Sequence, residues 1–360
     1  MAKIDAFFKL THDQGASDLH LIAGQPPALR LHGAIERIKY DTLDDDNLRS
    51  MLYEITPEEK IKEFEETGDI DFAYEIPGLA RYRGNYFMQK YGVGAVFREI
   101  PSEILTSEQL GLPEVISQLA GLPRGLVLVT GPTGSGKSTT LAAIIDVANS
   151  TRKDHIITVE DPIEFVHKSK KSIVNHREVG LHTKTFSSAL RGALREDPDI
   201  ILVGEMRDLE TISLAIEAAS TGHLVFGTLH TSSATKTIDR IIEVFPATEQ
   251  AQIRSTLSDS LKAVVAQVLF KRIDKVGRCA ALEILIATPA VRNLIRESKI
   301  HQIPSAIQTG KKLGMAFLDD SIMELHNKGW ISAEEAYAKA NNKTKFKPLL
   351  SAPPADFTDA

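Results

Sequence analysis

The sequence predicts an α/β chain of two domains: a small α+β unit, then a larger unit built on a mainly parallel sheet with a helical C-terminal part. Three observations carry this. The 360 residues are 42% hydrophobic and 25% charged, enough material for two cores. Up to about residue 100, short apolar runs alternate with turn signals, as in antiparallel strands. From Leu126 onward, apolar runs alternate with helical segments, as in a parallel sheet covered by helices.

Taken in order, Leu19 to Ile22, Leu29 to Leu31 and Ile35 to Tyr40 read as strands, separated by Gly24 to Pro27 and by Gly33. Thr56-Pro57-Glu58-Glu59 offers an N-cap, a proline at the first helical position and a glutamate three residues after the cap. This predicts a helix running to Thr67 and stopped by Gly68. Strands resume at Ile70 to Tyr74, Tyr82 to Gln89 and Gly94 to Arg98. The first domain is therefore expected over 1–100. A linker over 101–110 follows, where Pro101, Ser102 and later Pro113 interrupt regular structure. In the second domain, 111–345, strands are expected at 126–130, 155–160, 199–204, 223–229 and about 280–287. Helices are expected around 137–149, 184–196, 208–221 and 248–270. Ser332-Ala333-Glu334-Glu335 forms a capping box before the last helix, and 346–360 is expected to be a mobile tail.

Gly131-Pro132-Thr133-Gly134-Ser135-Gly136-Lys137-Ser138 fits G-x-x-x-x-G-K-[ST] between a strand and a helix. Such a loop turns backbone N–H groups toward phosphate oxygens, a helix N-terminus adds its positive end, Lys137 supplies charge and Ser138 offers a hydroxyl to Mg²⁺. Thr139 completes the segment. The four fixed positions arise by chance in roughly 1% of chains this long. A nucleotide's phosphates and Mg²⁺ are the ligands expected.

Three acids, Glu160, Asp161 and Glu164, follow the second strand of this domain. One can orient and deprotonate an attacking water while others support the metal's water shell; alone, they would equally suit a solvated turn. Asp199 to Glu205 is an apolar strand ending in one acid, with Gly204 where an aspartate is common, so contact between Glu205 and the metal through water is favoured. His223 and His230 flank another strand, and His230 is the better candidate because it faces the loop side. Arg81, Arg83 and Arg98 in the first domain, and Arg191, Arg195 and Arg207 in the second, are candidates to offset charge on a transferring phosphoryl group.

The cradle at 131–138, the box Val159 to Phe165, the strand ending Gly204-Glu205-Met206-Arg207-Asp208 and the box Gly222 to Thr231 together resemble the type II/IV secretion superfamily of hexameric motor ATPases. Ser17-Asp18-Leu19-His20-Leu21 with Pro26-Pro27, Arg30 and Gly33, and Ala290 to Glu297, resemble its pilus-retraction branch. Val291 replaces the usual isoleucine of the latter motif. The resemblance implies a PAS-like N-terminal domain and a RecA-like P-loop ATPase domain, in a cytoplasmic homo-hexamer with the nucleotide, ATP, between the domains. It assigns Glu164 as catalytic base, Glu205 as the Walker-B acid and His223 and His230 as histidine-box residues. Arg81, Arg83 and Arg98 become nucleotide-contacting arginines, and Arg195 and Arg207 flank Walker B. It further implies an inner-membrane platform protein of the type IV pilus as partner, with an assembly ATPase or accessory paralogue beside it.

Composition bears on the alternatives. Forty-two Lys and Arg against 48 Asp and Glu leave −6, opposite in sign to the footprint of a nucleic-acid motor, the rival from another class. Cys279 is the only cysteine, which excludes the four-cysteine zinc element of the extension ATPases and suits a reducing compartment. No apolar stretch is long enough for a membrane span, so membrane association is expected only through a partner. Retraction is favoured over assembly.

Overall fold

The computed structural model describes residues 2–31, 34–100 and 103–351. Gly33, Pro101, Ser102 and the tail from 352 onward lie outside the described residues. The chain divides into two units: Met1–Glu103 together with Pro162–Val166, and Ile104–Asp161 together with His167–Ala360. The division is thus discontinuous, unlike the single break expected from the sequence.

In the first unit, helix α1 (Asp5–Asp13) precedes β1 (Asp18–Ile22), β2 (Ala28–Leu31) and β3 (Ala34–Arg37). Helices α2 (Asp45–Tyr53) and α3 (Glu58–Thr67) follow, then β4 (Asp69–Ile76), β5 (Ala80–Gln89) and β6 (Gly92–Ile100). The six strands order as β3-β2-β1-β6-β5-β4, every neighbouring pair antiparallel. One sheet face is apolar: Leu19, Leu21, Tyr82, Tyr86 and Phe97 are fully buried with Phe8 of α1 and Leu48 and Leu52 of α2. Phe8 lies tilted against Tyr82 at 4.5 Å and meets Phe97 edge-on at 4.8 Å, each such pair adding about 0.5–1.5 kcal/mol to simple burial.

Helices α1 and α2 were not legible as helices, since each spans only nine residues and carries few periodic apolar positions. Asp44 caps α2 by accepting from Asn47 N at 2.9 Å. At α3 the expected cap moves by one residue. Pro57 takes the N-cap position without a side-chain bond, because the Thr56 hydroxyl turns back to Leu52 O at 2.7 Å and Tyr86 Oη at 3.0 Å. Gly68 ends the helix at φ 77°.

The second unit contains α4 (Glu114–Gln118), β7 (Gly125–Thr130), α5 (Lys137–Thr151), β8 (His155–Glu160), β9 (Ile173–Glu178), α6 (Phe186–Ala193), β10 (Ile200–Val203), α7 (Leu209–Thr221) and β11 (Leu224–Leu229). Then come α8 (Ala234–Glu243), α9 (Gln250–Ser260), β12 (Leu261–Lys271), β13 (Arg278–Ile286), α10 (Pro289–Arg296), α11 (Ile303–Thr309), α12 (Leu318–Asn327), α13 (Ala333–Lys339) and α14 (Lys343–Phe346). The sheet orders as β13-β12-β7-β11-β10-β8-β9. All its pairs are parallel except β12 with β13. Alternate residues of each strand feed two cores: Leu126, Leu128, Ile201 and Val225 pack with α7, α8 and α9, while Val127, Val129, Ile200 and Phe226 pack with α4 and α5. Burial on both faces explains the unbroken apolar runs.

Three expectations are corrected here. The helix expected over 248–270 stops at Ser260, and 261–271 is strand β12; an apolar run of this length reads either way, and its pairing to β7 decides it. Strand β9 and helix α8 were not anticipated. The ordered chain also passes residue 345, since Phe346 is fully buried with Phe270 and Ile322. At the last capping box only half forms: Ser332 accepts from Glu335 N at 3.1 Å, while the Glu335 carboxylate pairs with Lys339. Among the described residues no helix is long and apolar enough to cross a membrane.

Candidate active site

The phosphate cradle connects the buried strand β7 to α5. Gly131, Gly134 and Gly136 take φ values of 143°, 76° and 85°, which L side chains resist by about 1–2 kcal/mol per residue. At Gly131 there is also no room, since a Cβ would lie 2.3 Å from Gln267 O. The backbone therefore curls as a phosphate-binding loop requires. Lys137 Nζ donates to the carbonyls of Gly131 at 2.9 Å and Pro132 at 3.1 Å, bending its ammonium back over the loop. Ser138 and Thr139 are half-buried in the first turn of α5.

Parallel register sets what shares this edge. Thr130 pairs with Leu229, and Val203 pairs with both Gly227 and Val159. Glu160 thus ends its strand, and Gly131, Glu205 and His230 follow the carboxyl ends of theirs, where ligands of open α/β sheets sit. Met206 N bonds Thr228 O at 3.0 Å and the Thr228 hydroxyl bonds Gly204 O, which fastens the segment bearing Glu205 to β11. Gly204 is explained by crowding: a Cβ there would meet Glu160 Cα at 3.2 Å.

Glu205 is engaged by Arg207 and His230. Arg207 Nε lies 2.5 Å and His230 Nε2 3.0 Å from its Oε1. Burial pushes the carboxyl upward, yet the Arg207 hydrogen bond and the charges of Arg207, His230 and Lys137 outweigh it and hold Glu205 below the usual range. A carboxylate so engaged suits a metal's water shell better than direct ligation. Among the described residues no group of three or more His, Cys, Asp and Glu could hold a metal ion alone. The donors fit Mg²⁺ bound largely through phosphates and water, with the Ser138 hydroxyl and Glu205 contributing. Glu160 is buried at the end of β8, with His176 Nδ1 at 4.0 Å.

Other candidates sit elsewhere. His223 precedes β11 and so lies at the opposite edge from the cradle, six strand residues or roughly 20 Å away. Its Nδ1 lies 2.9 Å from Ala218 O at the end of α7, a structural contact. Arg195 follows α6 on that far edge, where the neighbouring Asp197 O meets the ring of His155 at the start of β8. In this chain neither reaches the cradle, because both precede their strands. Arg83 and Arg98 are cross-strand partners in the first unit; Arg98 Nε bonds Asp18 Oδ1 at 2.9 Å and Arg83 Nε lies 3.7 Å from Asp71. Arg81 approaches Glu75 at 3.6 Å. Glu164, half-buried between the buried Ile163 and Phe165, belongs to the first unit with the rest of 162–166.

Sequence reasoning missed Gln267 on β12. Its Nε2 donates to Ser135 O at 2.7 Å and its Oε1 accepts from the Thr140 hydroxyl at 2.8 Å. The available signal was one polar residue inside the apolar run Ala263 to Phe270.

The profile of the family "Type II/IV secretion system protein" matches residues 105–343. The type IV pilus retractation ATPase PilT of Pseudomonas aeruginosa is 59% identical over 333 residues, 92% of this chain and 96% of that one. A twitching motility protein of Neisseria gonorrhoeae is 53% identical, over 89% of this chain and 86% of that one. Among solved structures, the pilus retraction motor PilT with bound ADP is 45% identical with a TM-score of 0.88, covering 96% of this chain and 98% of that one.

Proposed function

Since the chain belongs to the type II/IV secretion system protein family, we propose that it is a P-loop ATPase that couples ATP hydrolysis to type IV pilus retraction. The observation that carries this reading is 59% identity to a pilus retraction ATPase across 92% of the chain, joined to an intact phosphate cradle. In the reaction, a water oxygen attacks the γ-phosphorus, the bond to the ADP oxygen breaks, and the water's proton passes to Glu164. The loop at 131–138 holds the phosphates through backbone N–H groups and Lys137. Mg²⁺, when bound, neutralises phosphate charge. Glu205, kept ionised by Arg207 and His230, orients water at that edge, and Arg81, Arg83 and Arg98 supply charge to the transferring group.

The working form is a cytoplasmic homo-hexamer that reaches the inner membrane through a pilus platform protein. Nucleotide that favours one arrangement of the ring only while its γ-phosphate is present provides a directional cycle. Deleting the gene and imaging pili tests the reading. Pili that accumulate and fail to retract support it; absence of pili would assign the chain to assembly instead. ATP turnover stimulated by DNA, with a steep salt dependence, would favour a nucleic-acid motor.

A further inference from the structure

We infer that Gln267 is a positioning residue that presets the phosphate cradle, with Thr140 anchoring its amide oxygen; this rests on the nucleotide-binding reading of the loop. Strand β12 pairs with β7 as far as Ala266 opposite Thr130, so the next residue, Gln267, stands beside Gly131 as β7 gives way to the loop. The fit is close. Its backbone oxygen occupies the space a Gly131 side chain would need, and its Nε2 the space a Gly136 Cβ would need, at 2.8 Å. Gln267 and Thr140 are each 2% exposed, so water does not compete for their bonds.

The amide orientation follows from chemistry. Ser135 O can only accept, so Nε2 must face it, and Oε1 is left to accept from the Thr140 hydroxyl. Holding Ser135 O toward Gln267 has a further effect. In a planar trans peptide the carbonyl and the next N–H point to opposite sides, so the Gly136 N–H is turned away from the Gln267 amide. A loop whose N–H groups are already aimed binds phosphate without an ordering cost. The same contacts serve substrate and product alike, so the effect belongs to binding more than to the chemical step.

The test compares the full-length protein with Q267M, which keeps the volume but lacks both hydrogen bonds, and with T140V. Binding of a fluorescent ADP analogue and the KM and kcat for ATP are measured beside urea unfolding. Q267M is expected to bind ADP about tenfold more weakly and raise KM by a similar factor, with kcat changed less than about twofold. T140V should lose about threefold, and the double variant should be no worse than Q267M, because the two residues act in series. Wild-type ADP affinity in a folded Q267M, or additive losses in the double variant, would overturn the inference. An unsubstituted protein that bound no ADP would overturn the nucleotide reading itself, and the brace with it.

Discussion

His230 Nε2 lies 3.0 Å from Glu205 Oε1, so the histidine that follows β11 and the acid that follows β10 meet at the edge that carries the cradle. This pair, with Arg207, keeps Glu205 ionised. Replacing Glu205 by Gln is expected to lower kcat about 100-fold while ADP binding persists. H230A removes one of the charges lowering the Glu205 pKa, so the acid limb of kcat against pH should move toward neutrality. The stability contribution of Glu205 has the sign of a depressed carboxylate: complete above the ordinary value of 4.5 and lost as pH falls through the lower folded value. An unchanged acid limb in H230A would exclude this coupling.

Gly131 is constrained twice, by φ 143° and by Gln267 O, which stands 2.3 Å from where its Cβ would be. G131A should therefore destabilise the protein by about 2 kcal/mol or more and abolish ADP binding. Urea midpoints and a binding titration check both effects.

Lys137 contributes two hydrogen bonds to its own loop, each worth about 1 kcal/mol of stability. K137A should still fold, losing no more than about 2 kcal/mol in urea unfolding, yet show no ATP turnover. A large loss of stability would mean that the lysine chiefly supports the fold.

His167 is buried, and desolvation, with the charge of His176 adding, pushes its pKa down to about 4 from 6.5. Between these values the unfolded chain binds the proton more tightly. Stability should be full above pH 6.5 and fall by on the order of 3 kcal/mol as pH drops to 4. Denaturant titrations across this range should show the slope in the wild type and lose it in H167N.

Much of the site was legible because its chemistry is local. A phosphate loop needs its glycines, lysine and serine at set spacing, and an acid or histidine just after a strand announces itself in the chain. Parallel strands also order their ends, so His223, which precedes β11, could have been separated from His230 on that ground alone. Gln267 was hidden because Leu261 to Lys271 is apolar enough to pass for the end of a helix, and only pairing with β7 makes it a strand.

The sequence by itself determined the α/β class, the cradle between β7 and α5, the acids and histidine at strand ends, and the family. The tertiary structure decided what distant segments do to one another. It showed that Gln267, 132 residues from Ser135, hydrogen-bonds its carbonyl, that Arg207 and His230 share Glu205, and that 162–166 groups with the first unit. Periodicity and spacing report what each stretch buries and which way it turns. Which partner fills the next position is settled only when the sheet closes, since register and packing depend on all the strands together.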